Sequence, residues 1–189
     1  MNQKISRPSI TLCEMIVVIC LCALLFPRAL HSQTKPTFGQ QIFLMKTLKP
    51  SLKKVGIITF NLSDEEVEQM THASLGLGVK TIVARAAENR EISGLYRKLI
   101  TEYNAEMIWI PENDEKLILG VGMEFLLSNS IEDKVGLCVP TRDGVSKGAL
   151  CCFQSENNKF TVFVNQRIAA VVGAAIPSQH DSRISYVVQ

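Results

Sequence analysis

Short, β-branched apolar runs alternate with helically spaced segments along most of the chain. Lys54 to Phe60 (KVGIITF), Val79 to Ala84 (VKTIVA), Ala105 to Ile110 (AEMIWI), Val135 to Val139 (VGLCV) and Gly148 to Phe153 (GALCCF) each fit a buried strand. Ser63 with Glu66 forms a capping-box pattern that starts a helix running to about Leu75, and Gly76 and Gly78 end it. Ile92, Leu95, Leu99 and Ile100 predict a second helix over Asn89 to Tyr103. Pro111 stops the third strand, and Leu117, Val121, Phe125 and Leu126 predict a third helix from Asp114 to about Ser128. Pro140 to Lys147 reads as a loop between two strands.

The rhythm then changes. Ser155 to Asn158 is a polar turn, and Lys159 to Val164 (KFTVFV) returns as a strand. So short a connection cannot hold a crossover, so these two strands form a hairpin. Asn165 caps a last helix, Gln166 to Val172, ended by Gly173 and Pro177. This alternation predicts an α/β fold: a flavodoxin-like three-layer sandwich, its sheet mostly parallel with an antiparallel edge hairpin. Residues 53–177 make a single lobe. Residues 33–52 are a lead-in in which Gln41 to Leu48 predicts a turn or two of helix. Residues 178–189 are a C-terminal tail whose pattern resumes only at Ile184 to Val188.

The first thirty residues carry an address. Lys4 and Arg7 precede an unbroken apolar run from Met15 to Phe26, then Pro27 and a small-residue stretch near Ala29 to Ser32. That grammar predicts a secretory signal peptide over residues 1–32, hence an exported, periplasmic chain. An uncleaved anchor is the alternative. Twelve residues span roughly 18 Å at about 1.5 Å each, short of the ~30 Å hydrocarbon layer.

Composition narrows the function class. The chain has 189 residues, 47% hydrophobic and 20% charged, enough to bury a core without covalent staples. Twenty Lys and Arg against 18 Asp and Glu leave no broad basic face, so no nucleic-acid partner is expected. Without residues 1–32, acids and bases balance, and Cys138, Cys151 and Cys152 remain. An odd count in an oxidising compartment leaves at least one thiol free or paired between chains. Adjacent Cys151 and Cys152 point to opposite faces of a strand, so they make no metal clip. They read as small buried hydrophobes, with a Cys138–Cys152 bridge as the alternative.

No catalytic constellation assembles, and neither a cofactor nor a metal is expected. His72 and His180 lack a nucleophile pattern and read as surface residues. Gly76-Leu-Gly78-Val-Lys80-Thr81 resembles part of a phosphate loop but precedes a strand instead of following one. Gly120 and Gly122 fall inside the third helix, where they allow close packing on the sheet. The turn Phe60 to Ser63 has no glycine, which argues against a dinucleotide fold. The strands' carboxyl ends form a polar rim instead: Asn61 and Ser63, Arg85, Pro111 with Glu112, Asn113 and Asp114, then Thr141, Arg142 and Asp143. Open α/β sheets bind ligands at that rim. Each position also reads as a cap or solvated loop residue, Asp114 as a helix cap and Arg142 with Asp143 as a pair.

The segments KVGIITFN, YNAEMIWIPENDEKL (103–117), KVGLCVPTRDGVSKGALCCF (134–153) and VNQRIAAVVGAAIP (164–177) resemble a lobe of the substrate-binding proteins of ABC transporters, of the periplasmic-binding type I fold. That resemblance implies a non-enzymatic domain for a small polar ligand, with Pro111, Asn113, Asp114, Thr141 and Arg142 contributing to the site. The family grips its ligand between two lobes, whereas this span resembles one, so a homodimer could rebuild the cleft. GALCCFQSENNKFTVFVNQRIAAVVG (148–173) is similar to the closing segment of YfiR-like periplasmic regulators. That rival resemblance implies a regulator that restrains a membrane-bound protein partner.

Overall fold

The computed structural model describes residues 36–111, 117, 120–156, 159–178 and 183–189. Thr37 and Gln40 close a capping box, and helix α1 (Phe38–Leu48) follows, longer than the turn or two expected. Strand β1 (Lys54–Thr59) leads through Ser63, whose hydroxyl accepts from Glu66 N, into α2 (Asp64–Gly76). The chain then forms β2 (Lys80–Arg85), a 3-10 turn (Asn89–Glu91), α3 (Ile92–Thr101) and β3 (Met107–Trp109). Helix α4 (Val121–Glu132), β4 (Gly136–Cys138) and α5 (Arg142–Ser146) precede the hairpin of β5 (Cys151–Glu156) and β6 (Lys159–Val164). Helix α6 (Gln166–Val172) and β7 (Ile184–Val188) complete the described elements.

The strands form one sheet in the order β2-β1-β3-β4-β5-β6-β7. β1 to β5 run parallel, β6 turns back antiparallel to β5, and β7 lies parallel to β6. The α/β sandwich with its hairpin is therefore present, and the end of the expected tail adds a strand outside the hairpin. Side-chain alternation sorts two cores. Val55, Ile57, Met107, Trp109, Cys138, Cys151, Phe153 and Val164 face the layer of α1 and α6. Gly56, Ile58, Ile108, Leu137, Cys152 and Phe163 face the layer of α3 and α4.

Two expectations change. Within the span of the third predicted helix, α4 begins at Val121 with Gly120 as its N-cap residue, Leu117 is also helical, and the expected start at Asp114 lies outside the described residues. A Cβ on Gly122 would lie 2.2 Å from Ile92 Cδ1, so this glycine permits α4 to approach α3 and not the sheet. The expected loop after β4 contains α5. Thr141 Oγ1 accepts from Gly144 N at 3.3 Å, and Val145 is wholly buried. Cap and burial create a helical turn that a central glycine would otherwise disfavour.

Tyr96 ties the α3–α4 layer together. Its hydroxyl donates to Asp133 Oδ2 at 3.0 Å, and its ring meets Phe125 edge-on at 5.8 Å. Burial, then the Asp133 carboxylate, push the phenol's pKa well above its ordinary value near 10. Above that pH the unfolded chain releases this proton while the folded chain keeps it, so stability falls as pH rises. Tyr96→Phe should cost about 1 kcal/mol at neutral pH. Its deficit relative to the wild type should shrink as urea denaturation is repeated at rising pH above about 10.

Candidate functional site: the rim at the strand ends

The chain leaves β1 for β2 on one side and later places β3 on the other side of β1. That reversal makes the carboxyl ends of β1 and β3 a topological switch point, the place where open α/β sheets receive ligands. The ends of β2, β1, β3 and β4 are consecutive. Three strand spacings of about 4.8 Å give the rim a width of roughly 14 Å.

Thr59 builds the turn on one wall. It is wholly buried, and its Oγ1 accepts from Asn61 N and from Leu62 N, each at 3.2 Å. Those bonds bend the chain away from the sheet and leave Asn61 exposed beside the switch point. Ser63 is committed to its own helix: Oγ accepts from Glu66 N at 3.2 Å, while Glu66 Oε2 accepts from Ser63 N and Ser63 Oγ at 2.9 and 3.0 Å. Arg85 is the register partner of Thr59, and its guanidinium donates to Asp64 Oδ1 in the first turn of α2.

Pro111 is buried at the end of β3, after Ile110 N has donated to Cys138 O at 3.0 Å. Asn113 and Asp114 lie outside the described residues. On β4's side, Thr141 is the cap of α5. Arg142 does not pair with Asp143. Its guanidinium sits 5.0 Å from the Phe163 ring centroid, and Asp143 pairs with Lys147 at 2.7 Å. The rim thus brings Asn61, Ser63 and Arg85 together at β1 and β2, Pro111 at the centre, and Thr141 with Arg142 at the far end.

Sequence reasoning missed Thr59, whose only signal is a hydroxyl ending an apolar run. Thr59→Val keeps the shape and removes the acceptor. It should cost about 1–3 kcal/mol, because two N–H groups lose their partner. Wild-type stability in urea denaturation would show that the turn holds without the hydroxyl.

Two cavities among the described residues lie away from the switch point. One of about 250 Å³ flanks β2, lined by Val83, Arg85, Leu95, Lys98 and Tyr103. The other, about 180 Å³, lies between α1 and the β6–β7 edge, by Phe43, Phe160 and Ile184. His72 is exposed on α2, 3.7 Å from Glu68. Gly78, with φ of 67°, forms the turn from α2 into β2, away from any strand-to-helix phosphate loop. Among the described residues, no group of three or more His, Cys, Asp or Glu could hold a metal, and no helix is long and apolar enough to cross a membrane.

No protein-family model matches the sequence, and no curated protein matches it. Solved structures do. An ABC domain from Streptococcus pneumonia in complex with L-Trp matches with a TM-score of 0.65 at 18% identity, over 82% of this chain and 62% of that one. A substrate-binding protein with adhesive properties from Clostridium difficile, in its ligand-free, open form, gives 0.61 at 17% identity over 79% and 59%. This chain resembles ABC substrate-binding proteins in fold. A conserved domain protein from Vibrio cholerae gives 0.65 at 14% identity over 82% and 60%. The chain therefore aligns with about three fifths of the length of these three structures, and the shared feature is the fold.

Proposed function

We propose that the chain is an exported, non-enzymatic binding domain of the ABC substrate-binding type that holds a small polar ligand at the strand-end rim. The observation that carries this reading is the β1–β3 switch point in a fold shared with a domain solved in complex with L-Trp. Asn61 and Arg85 on one side, Asn113 and Asp114 after β3, and Thr141 and Arg142 on the other would line the ligand, with Pro111 as a rigid floor. Ser63 would act from behind, through the N-terminus of α2. Amino acids are the first ligands to test, since Arg142 would meet a carboxylate and Asp114, close after β3 in the sequence, would meet an ammonium.

The test is thermal denaturation of the chain with L-tryptophan and the other common amino acids. At a hundred times Kd a bound ligand adds about 2.7 kcal/mol. Arg142→Ala and Asp114→Ala should abolish that gain while circular dichroism stays unchanged. Normal binding by both variants would remove the rim assignment. If Asp114→Ala only lowers stability by ~1 kcal/mol, the residue is a helix cap.

The β5–β6 hairpin leading into the Asn165-capped α6 supports a second reading, a YfiR-like regulator acting through protein contacts. Native mass spectrometry separates the two. A retained small molecule, on a monomer or a homodimer, favours the binding domain. A bare chain that co-purifies with a membrane protein favours the regulator.

A further inference from the structure

The sheet has one thin seam. β1 and β2 are in register from Lys54↔Lys80 to Thr59↔Arg85, and β5 and β6 from Cys151↔Val164 to Glu156↔Lys159. β4 and β5 are in register at a single position, Cys138 opposite Cys151. Two backbone bonds bracket that pair, Leu150 N to Leu137 O at 2.8 Å and Val139 N to Cys151 O at 3.0 Å. The seam divides the parallel strands β2-β1-β3-β4 from the β5-β6-β7 unit.

Both cysteines are wholly buried on the same face of the sheet, among Trp109, Leu150, Phe153 and Val164. Their Sγ atoms are 3.2 Å apart. Adjacent strands lie about 4.8 Å apart, inside the 4.4–6.8 Å range of Cα separations that disulfides span. Cys152 faces the opposite core with Leu137 and Phe163, so the Cys138–Cys152 alternative is geometrically closed.

We propose that, when the chain folds under oxidising conditions, Cys138 and Cys151 join in a disulfide across the β4–β5 seam in which Cys152 takes no part. In the exchange one thiolate attacks a small-molecule or protein disulfide, and the second thiolate resolves the mixed disulfide. The two cysteines lose two protons and two electrons. One S–S bond forms between them, and the reagent's S–S bond breaks to give two thiols. Burial, with Cys138 alongside, pushes the Cys151 thiol up, so the attacking form is scarce once the sheet closes. The bond therefore forms while β5 is still open, and the closed sheet then shields it from reductants. It fastens the hairpin half to the parallel half where the ladder is thinnest. The proposal does not rest on the ligand-binding reading.

The full chain is unfolded with reductant and refolded with reduced and oxidised glutathione. It is then denatured in N-ethylmaleimide and digested with trypsin without reduction. Cleavage after Lys134, Arg142, Lys147 and Lys159 separates Val135–Arg142 from Gly148–Lys159. The expected product is these two peptides linked, two hydrogens lighter than their sum, with Cys152 alkylated and fragment ions placing the bridge on Cys151. Cys152→Ser should keep the link and Cys151→Ser should lose it. A folded wild-type chain with Cys138 and Cys151 both alkylated overturns the proposal, as does a bridge placed on Cys152. The wild-type digest decides this even if a cysteine variant fails to fold.

Discussion

Trp109→Ala is expected to cost about 3–5 kcal/mol, a large share of the 5–15 kcal/mol that holds a typical domain folded. The indole is only 2% exposed at the end of β3 and meets the Phe38 ring of α1 at 5.9 Å and 68°, edge to face. Truncation removes the largest buried side chain of the chain's interior and leaves a cavity between the sheet and α1. The neighbours cannot collapse into it freely, because Met107, Cys138 and Val55 are fixed by paired strands. Thermal denaturation should show a fall of roughly 6–20 °C for a domain of this size. Trp109 is the chain's only tryptophan, so its emission also reports wild-type unfolding directly. A change below 1 kcal/mol would mean that the ring is not packed as described.

Gly56→Val is the second large effect, and it comes from overfilling. Gly56 sits in the middle of β1, facing α3. A Cβ there would lie 2.9 Å from Ile108 Cδ1, 3.0 Å from Leu99 Cδ1 and 3.3 Å from Ala105 Cβ. Two of those atoms end flexible side chains, but Ala105 Cβ moves only with its backbone, and Leu99 and Ile108 are themselves enclosed. Valine adds two more methyl groups to a space that lacks room for one. The expected cost is about 3 kcal/mol, the upper end for overpacked cores. Urea denaturation should show the midpoint falling with an unchanged slope, since the unfolded chain exposes nearly the same surface. A wild-type midpoint would show that α3 lifts away from β1 at little cost.

Much of the fold was legible because its signals are local. Ser63 and Glu66 make their reciprocal bonds within one turn, and Asn165 caps α6 through Ile168 N at 3.1 Å. The β5–β6 hairpin follows from a connection too short for any crossover, and the opposite facing of Cys151 and Cys152 follows from the pleat. Helix α5 was not legible. Arg142 to Ser146 carries a central glycine, and only burial of Val145 with the Thr141 cap makes it helical. Strand β7 was equally hidden, since Ile184 to Val188 gains order by pairing with β6 across Phe160↔Ile184 to Val164↔Val188.

The rim divides in the same way. That Asn61, Ser63, Arg85, Pro111, Thr141 and Arg142 stand at strand ends could be read from the alternation of runs. Their partners could not. Arg85 reaches Asp64 across the β1–β2 crossover, and Arg142 reaches Phe163 on an antiparallel strand that arrives later in the chain.

By itself, then, the sequence determined the alternation of strands and helices, their caps and the inward faces, because propensity, capping and periodicity act over a few residues. Only the tertiary structure decided which strand lies beside which. That choice set the switch point between β1 and β3, the place of β7 outside the hairpin and the meeting of Cys138 with Cys151. Strand order is settled by how two apolar faces bury against helices across the whole sheet, and no local pattern encodes that sum.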